Sequence, residues 1–314
     1  MKAIVLNGAG GTDRLQVTEV EKPRPAEGEL LVRVRAISVN PVDIKTRKGG
    51  AFYAQLEQQG PVILGWDVSG LVEAAGPGAQ RFKVGDDVFG MVNFPGAGKA
   101  YAEYVTAPEA HFARKPEHIS HEAAAATTLA ALTAWQVLVH EGGLQAGQRV
   151  LVHAAAGGVG HFAVQIARER GATVYGTASE ANHEFVRGLG AALVIDYRSE
   201  DFRDRLKDID LVLDPVGGET ALRSLDVLRP GGQLISIVGG AKEPVATTAT
   251  ERGLTARNYL VHSSGADMEA LARLMADGKL VPTVGHVVPF GEMAAAHAQV
   301  ESGHTRGKVV LTLR

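Results

Sequence analysis

Residues 149–161 read Arg149-Val-Leu-Val-His-Ala-Ala-Ala-Gly-Gly-Val-Gly-His161. Val150, Leu151 and Val152 form a short apolar run of the kind that makes a buried strand, and a turn of small residues follows at once. Val159, Phe162, Ala163, Ile166 and Ala167 then recur three and four apart, the spacing of one helix face. Ala154, Gly157 and Gly160 keep the turn free of side-chain bulk. Backbone N–H groups can therefore approach an anion, and the helix N-terminus adds partial positive charge behind them. That combination suits a dinucleotide pyrophosphate. The spacing Ala-x-x-Gly-x-x-Gly is a variant of the usual glycine fingerprint, and a tight strand–helix connection that binds nothing would carry the same residues.

The surrounding pattern decides between the two. Strands are predicted at 150–153, 174–177, 193–196, 211–214, 234–238 and 259–262. Helices fall between them, one over 182–189 ending at Gly190 and one over 219–228 stopped by Pro230-Gly-Gly232. Strands alternating with helices predict a parallel, doubly wound sheet of the α/β class, with ligand at the carboxyl ends of the strands. Upstream the texture differs. Residues 1–115 are β-rich, with strand candidates at 2–6, 15–20, 29–39, 68–74, 88–91 and 102–106 divided by Gly and Pro clusters. Ser120 can cap a helix that continues through an alanine-rich run to about His140 and ends at Gly142-Gly143. In the tail, Met268, Leu271, Leu274 and Met275 share a helix face closed by Gly278, and strands at 283–288 and 308–313 flank a helix around 293–300. This tail is expected to join the first 115 residues, which makes the parallel-sheet domain an insertion.

The totals narrow the chemistry. The 314 residues are 45% hydrophobic and 21% charged, enough for two domains with substantial cores. A net charge of −3 with no long basic run gives nucleic-acid binding little support. With no cysteine there is no thiolate nucleophile, disulfide, iron–sulfur centre or Cys-ligated zinc. The apolar run at 3–6 is too short for a secretory signal. Residues 123–139 lack charge but carry three threonines and a glutamine, which reads as a buried helix and not a membrane span. A cytoplasmic protein is expected.

Several motifs then fall in order along the chain: Asn40-Pro-Val-Asp43, Gly65-Trp-Asp-Val-Ser-Gly70, Phe82-Lys-Val-Gly-Asp-Asp-Val88, Leu132-Thr-Ala-Trp135, residues 154–160, Asp214-Pro-Val-Gly-Gly218 and Gly307-Lys-Val-Val-Leu311. With these, the chain resembles the zinc-free medium-chain dehydrogenases/reductases of the quinone oxidoreductase (zeta-crystallin-like) group over essentially its whole length. The resemblance implies a GroES-like β-rich catalytic domain over 1–118 and 265–314 and an NADPH-binding Rossmann domain over 119–264. It implies hydride transfer from NADPH to a quinone or to the carbon–carbon double bond of an enone, in a deep cleft between the domains, and a homodimer joined edge to edge near 258–263. Zinc-containing relatives place a Cys and a His-Glu pair where this chain has Asn40 and Trp66-Asp67, and a four-cysteine lobe where it has Asn93-Phe-Pro-Gly-Ala-Gly98. No metal is expected.

Without a metal, charge developing on a substrate oxygen must be met by hydrogen-bond donors. Asn40 is the first candidate, as donor to the substrate carbonyl or to the nicotinamide; alternatively it caps the Asn-Pro turn. Lys45 offers an ammonium to an enolate oxygen, or is a solvated lysine. Tyr53 matches a family tyrosine beside the nicotinamide, where its phenol could give a proton, or is an aromatic packed in a loop. Asp67 is expected to orient its neighbours. By the same resemblance Thr133 meets the nicotinamide end, although a buried threonine bonding its own helix reads the same way. Ala156, Gly157, Gly158 and Val159 face the pyrophosphate. Val238, Gly239 and Gly240 line the nicotinamide side, together with Ser263 and Ser264. Lys308 is either near the cofactor or solvated at a strand end. NAD enzymes commonly place a carboxylate at the end of the second strand. Here Ser179 stands at that point, with Asn182 as an added donor and Tyr197-Arg198 available for adenine and phosphate, so NADPH is expected although Glu180 would repel phosphate if it turned inward. Two other readings stay open: an enoyl-thioester reductase, and a cofactor-binding structural or RNA-binding protein with little turnover.

Overall fold

The apolar run ahead of the small-residue turn forms the strand Arg149–Val152 of a six-stranded, wholly parallel sheet. In the computed structural model, which describes residues 1–313, the strands lie in the order Leu193–Asp196, Thr173–Ala178, Arg149–Val152, Ile209–Asp214, Leu228–Ser236, Thr255–Asn258. The first three strands in the chain step outward one way and the later three the other way. Strand order thus reverses between Arg149–Val152 and Ile209–Asp214, where a parallel sheet opens a crevice at its carboxyl edge. Strand residues Leu151, Ile195, Val212 and Leu234 pack against Phe202, Leu206, Ala221 and Leu225 in one core. Covered strands of this kind read as continuous apolar runs, which is why most were visible in the sequence.

Two strands differ from expectation. The fifth is Leu228–Ser236, so Pro230-Gly-Gly232 lies inside it instead of ending a helix; the register against Ile209–Asp214 shifts there, and a bulge is where a strand tolerates proline. The sixth is Thr255–Asn258, ahead of the predicted 259–262. It is an edge strand whose Thr255 and Asn258 are exposed and whose Ala256 and Arg257 are only partly buried, and it lacks the apolar run that marks a covered strand.

The remaining residues make a second compact unit, Met1–Leu132 with Val261–Arg314, which in sequence flanks the inserted unit Thr133–Leu260. Its main sheet runs Val284–Pro289, Lys308–Thr312, Glu29–Val39, Asp67–Ala75, Asp87–Met91, Phe112–Arg114, with Tyr104–Pro108 also paired to Glu29–Val39. The tail strand Lys308–Thr312 lies antiparallel to Glu29–Val39, Val309 opposite Val39, so the tail does complete the first sheet. A smaller sheet holds Leu15–Glu19, Lys2–Leu6 and Val62–Ile63. Short helices at Pro41–Arg47 and Tyr53–Glu57 interrupt the β-rich region.

The units divide at Leu132/Thr133 and Leu260/Val261, where the sequence reading had placed the boundaries at 118/119 and 264/265. The helix His121–Trp135 explains the first: its Ala125 and Ala126 pack with Ala36 and Val310, and its Leu129 N–H binds Asp67. Ser120 accepts from the Ala123 N–H at 3.2 Å, as a cap does. Among the described residues, the helical stretch His121–Glu141 is long and apolar enough to cross a membrane, and most of it is buried inside the protein.

Candidate functional site

At the carboxyl end of Arg149–Val152 the chain turns sharply before the helix Gly160–Glu169. Ala154 takes a left-handed backbone, φ 47°, and the Gly157 N–H returns to the Ala154 carbonyl at 2.9 Å. Gly160 is obligatory here: an added Cβ would stand 2.2 Å from the Ala154 oxygen and 2.7 Å from the Ala155 Cα. Gly157 is different, since its Cβ would meet only that oxygen, at 3.2 Å, within 4 Å. One glycine lets the turn close on itself, and the other keeps bulk off its outer side. That cradle fits a phosphate approached by backbone N–H groups.

A residue the sequence reading passed over holds this turn. His153 is 1% exposed, with Nδ1 3.1 Å from Thr177 Oγ1 and Nε2 2.9 Å from Ser224 Oγ. The Ser224 hydroxyl donates to the Thr220 carbonyl at 2.6 Å, so Nε2–H must donate to Ser224 Oγ. Nδ1 is then an acceptor for the Thr177 hydroxyl, whose oxygen in turn accepts the Ala154 N–H at 3.2 Å. Burial pushes the His153 imidazole down to about 4, keeping it neutral, as this tautomer requires. The signal was a polar residue ending an apolar strand, and its partners lie 24 and 71 positions away.

The other nucleotide candidates also emerge at the carboxyl edge. Ala178 and Asp196 are register partners, so Ser179 and Tyr197 leave adjacent strands side by side. Asn182 donates from Nδ2 to Ser179 Oγ at 3.1 Å. Tyr197 is 57% exposed with the Arg198 guanidinium 5.6 Å from its ring centre, and Glu180 is exposed. Asp214 and Ser236 are likewise paired, and the turns after them interlock. Asp214 Oδ1 accepts the N–H groups of Val216 at 2.9 Å and Gly217 at 2.8 Å, while Gly240 donates to Ser236 Oγ at 2.8 Å. A Cβ on Gly240 would strike Asp214 Oδ2 at 2.6 Å; Gly239 is left-handed and Val238 half-exposed. Thr133 is buried.

In the first unit the structure gathers Asn40, Asp67 and Lys308. Asn40 is 2% exposed; its Nδ2 donates to Asp67 Oδ2 at 2.7 Å and its Oδ1 accepts from Lys308 Nζ. Asp67, fully buried, also accepts the Ser38 hydroxyl at 2.5 Å and the Leu129 N–H at 2.9 Å. Lys308 is buried, not solvated, and burial lowers its pKa against the opposing pull of Asp67 and Asp43. Asp43, in the first turn of Pro41–Arg47, returns Oδ2 to the Asn40 N–H at 2.6 Å. Burial pushes its carboxyl up to about 7, the Asp67 charge adding to the rise.

Lys45 and Tyr53 lie apart from this cluster. Lys45 is exposed, and the Tyr53 hydroxyl donates to Glu57 at 2.7 Å while accepting the Ala9 N–H at 3.1 Å. The bond to Glu57 raises the phenol's pKa. Ser263 exchanges hydrogen bonds with Phe94, its Oγ accepting the Phe94 N–H at 2.9 Å, and Ser264 caps the helix Gly265–Ala276. Phe52, Trp66 and Phe94 meet edge to face, with centroids 5.2–5.8 Å apart. Among the described residues no three His, Asp or Glu side chains converge as metal ligands. At Asn40 and Trp66-Asp67 the donors are instead an amide held by an ammonium, an indole packed on two rings and a carboxylate with every oxygen engaged.

This geometry meets its counterparts in known proteins. Residues 26–117 match the alcohol dehydrogenase GroES-like domain, and residues 189–311 match a family described as zinc-binding dehydrogenase. The chain is 35% identical to the quinone oxidoreductase from Coxiella burnetii, with a TM-score of 0.94 over 100% of this chain and 99% of that one. The Escherichia coli quinone oxidoreductase complexed with NADPH superposes at a TM-score of 0.89, 29% identical, over 100% of both chains. The NAD(P)H oxidoreductase RTN4IP1, mitochondrial, of Danio rerio is 32% identical over 100% of this chain and 91% of its own length. The chain belongs to the zinc-free medium-chain dehydrogenase/reductase family, in its quinone oxidoreductase-like group. It is an oxidoreductase of that family, built from a GroES-like unit and a Rossmann unit. The name of the zebrafish relative places that protein in mitochondria, so the comparisons lend the cytoplasmic expectation no support.

Proposed function

We propose that the protein is an NADPH-dependent, zinc-independent reductase that passes hydride to a quinone or to the carbon–carbon double bond of an α,β-unsaturated carbonyl. The observation that carries this reading is the cradle at residues 154–160, closed by Gly160 and left open at Gly157, at the carboxyl edge where strand order reverses. Ala156, Gly157, Gly158 and Val159 would hold the pyrophosphate. Ser179 and Asn182 would hold the 2′-phosphate, with Tyr197 against adenine. No carboxylate occupies the strand-end position that Ser179 takes, which favours NADPH over NADH. The Escherichia coli neighbour, complexed with NADPH, supports the same choice. When bound, the reduced nicotinamide supplies the hydride. Val238, Gly239, Gly240 and Thr133 would bound its nicotinamide end.

The protein's share of the chemistry is polarisation and a proton. The Asn40 Nδ2 carries two N–H groups, and Asp67 takes one. The other is the donor we assign to the substrate oxygen. Lys45 and Tyr53 are the candidate proton sources for the enolate. Phe52, partly exposed and backed by the buried Trp66 and Phe94, would offer apolar surface suited to a conjugated acceptor. We further propose a homodimer through the edge strand Thr255–Asn258 and the exposed Leu260, with no nucleic-acid or membrane partner. Gel filtration giving a monomer removes the dimer. The activity is tested by following NADPH absorbance with a small quinone and with an α,β-unsaturated ketone. Turnover with either sustains the reading, and tight NADPH binding with no turnover replaces it by a cofactor-binding protein.

A further inference from the structure

The Lys308 side chain begins on the last strand, Lys308–Thr312, and its ammonium donates to Asn40 Oδ1, 268 positions earlier in the chain. It also donates to the Val39 carbonyl at 3.1 Å and stands 3.8 Å from Asp67 Oδ2. On the other side of the same amide, Asn40 Nδ2 donates to Asp67 Oδ2 at 2.7 Å. A cation therefore faces the amide oxygen and a carboxylate faces the amide nitrogen. Turning the amide by half a revolution would set Oδ1 against the carboxylate and Nδ2 against the ammonium. Two charge-assisted hydrogen bonds would become two repulsive contacts, so one orientation is fixed. The partners are enclosed by the protein, with Asn40, Asp67 and Lys308 all at least 97% buried, so each charge depends on the others for its compensation.

The remaining contacts make the bracket rigid. Asp67 is held by the Ser38 hydroxyl and the Leu129 N–H, and the Asn40 backbone N–H is held by Asp43. Every partner of the amide is itself anchored on a strand or a helix terminus. With Oδ1 on Lys308 and one N–H on Asp67, the second N–H of Nδ2 points along a direction set by the amide plane.

We propose that Lys308 is a positioning residue for the reaction, fixing the Asn40 amide so that its second N–H is presented to the substrate oxygen. This rests on the role assigned to Asn40 above. A lysine that only compensated Asp67 would cost stability when replaced, but would leave kcat of the folded protein near wild type, and that result would overturn the proposal.

A double-mutant cycle on the full-length protein separates the two roles, with kcat for NADPH and a small quinone as the readout. Asn40→Ala and Lys308→Met are each expected to lower kcat by about tenfold or more while leaving the KM for NADPH within about twofold. The double variant is expected to be no slower than Asn40→Ala alone, because Lys308 then has nothing to position. Losses that multiply in the double variant overturn the proposal while leaving the assigned role of Asn40 intact. Wild-type kcat in Asn40→Ala overturns that role, and the proposal with it. If the methionine variant does not fold, Lys308→Gln, which keeps an N–H donor, enters the same cycle with the same two outcomes.

Discussion

Alanine substituted in turn at Gly160 and Gly157 separates what the fold needs from what the ligand needs. At Gly160 the new Cβ would lie 2.2 Å from the Ala154 oxygen, 2.7 Å from the Ala155 Cα and 2.9 Å from the Ala154 carbonyl carbon. Comfortable separations are about 3.5 Å, and all three atoms are backbone, so no rotamer change relieves the overlap. The turn must open by about an ångström. Overpacking of this kind costs about 1–3 kcal/mol, which for a chain of 314 residues is a fall of about 2–5 °C in melting temperature. At Gly157 a single atom, the Ala154 oxygen at 3.2 Å, lies within 4 Å of the new methyl. A few tenths of an ångström accommodate it, so melting should move by about 2 °C or less. A methyl there would obstruct a pyrophosphate held over the turn, and NADPH affinity is expected to fall by about tenfold, or about 1.4 kcal/mol. Scanning fluorimetry of each variant and calorimetry with NADPH provide the comparison. A Gly157→Ala protein that binds NADPH as tightly as wild type would show that the turn does not hold the pyrophosphate. A Gly160→Ala protein with unchanged melting would refute the packing argument itself.

Three further outcomes follow from buried or paired groups. His153→Leu leaves the Thr177 and Ser224 hydroxyls without their buried partner and should cost about 2–4 kcal/mol; NADPH affinity should fall while the KM for the acceptor holds, and equal binding would dismiss His153 as a support of the turn. Asp43 is raised from 3.8 to about 7 in the fold, chiefly by burial, so its contribution to stability is full below 3.8 and is lost as pH climbs through 7. At about 1.4 kcal/mol per pH unit the loss is at most about 4 kcal/mol, so Asp43→Asn should gain on wild type in melting temperature between pH 5 and 8, and a constant difference would contradict the shift. Asp201 works in the opposite sense: hydrogen bonds from Arg203, its largest influence, and from Arg223 depress its carboxyl, and it caps Phe202–Arg205. Asp201→Ala should cost about 1 kcal/mol at neutral pH, the cost shrinking as the pH falls toward and below 3.8; a cost independent of pH would mean the charge is irrelevant.

The sequence disclosed what is local. The turn at 154–160 was legible because close backbone approach selects small residues within one short window. Most strands of the parallel sheet were legible because both of their faces are covered. Thr255–Asn258 was not, since an edge strand half in solvent need not be apolar. The fifth strand was shortened in the reading because Pro230-Gly-Gly232 marks a turn in most contexts and a bulge here. The domain boundary at 118/119 followed the change in texture, whereas the packing of Ala125 and Ala126 on Ala36 and Val310 depends on contacts no window contains. The same limit hid the site. Asn40 was named from its motif, and its partner Lys308 stood in another motif at the far end of the chain with a solvated reading equally open. Only the antiparallel pairing of Val309 with Val39 brings the two together.

That pairing also sets the charge of the proposed site. A buried carboxylate is costly unless its oxygens are met, and Asp67 is met by a hydroxyl, a side-chain amide, a backbone N–H and, at 3.8 Å, an ammonium. Asp43 receives less: the Asn40 N–H binds Oδ2 at 2.6 Å, while burial and the Asp67 charge favour the protonated acid. Near neutral pH Lys308 thus stands against Asp67, while Asp43 is only about half ionised. A substrate oxygen gaining negative charge beside Asn40 would then meet less repulsion than two uncompensated carboxylates would give. Without Lys308 the same cluster would present an uncompensated carboxylate, and the amide would lose both its orientation and the field that makes its donation useful. Orientation and charge at Asn40 are therefore set by one ammonium, supplied by a strand that enters the sheet only after the whole nucleotide unit has been traversed.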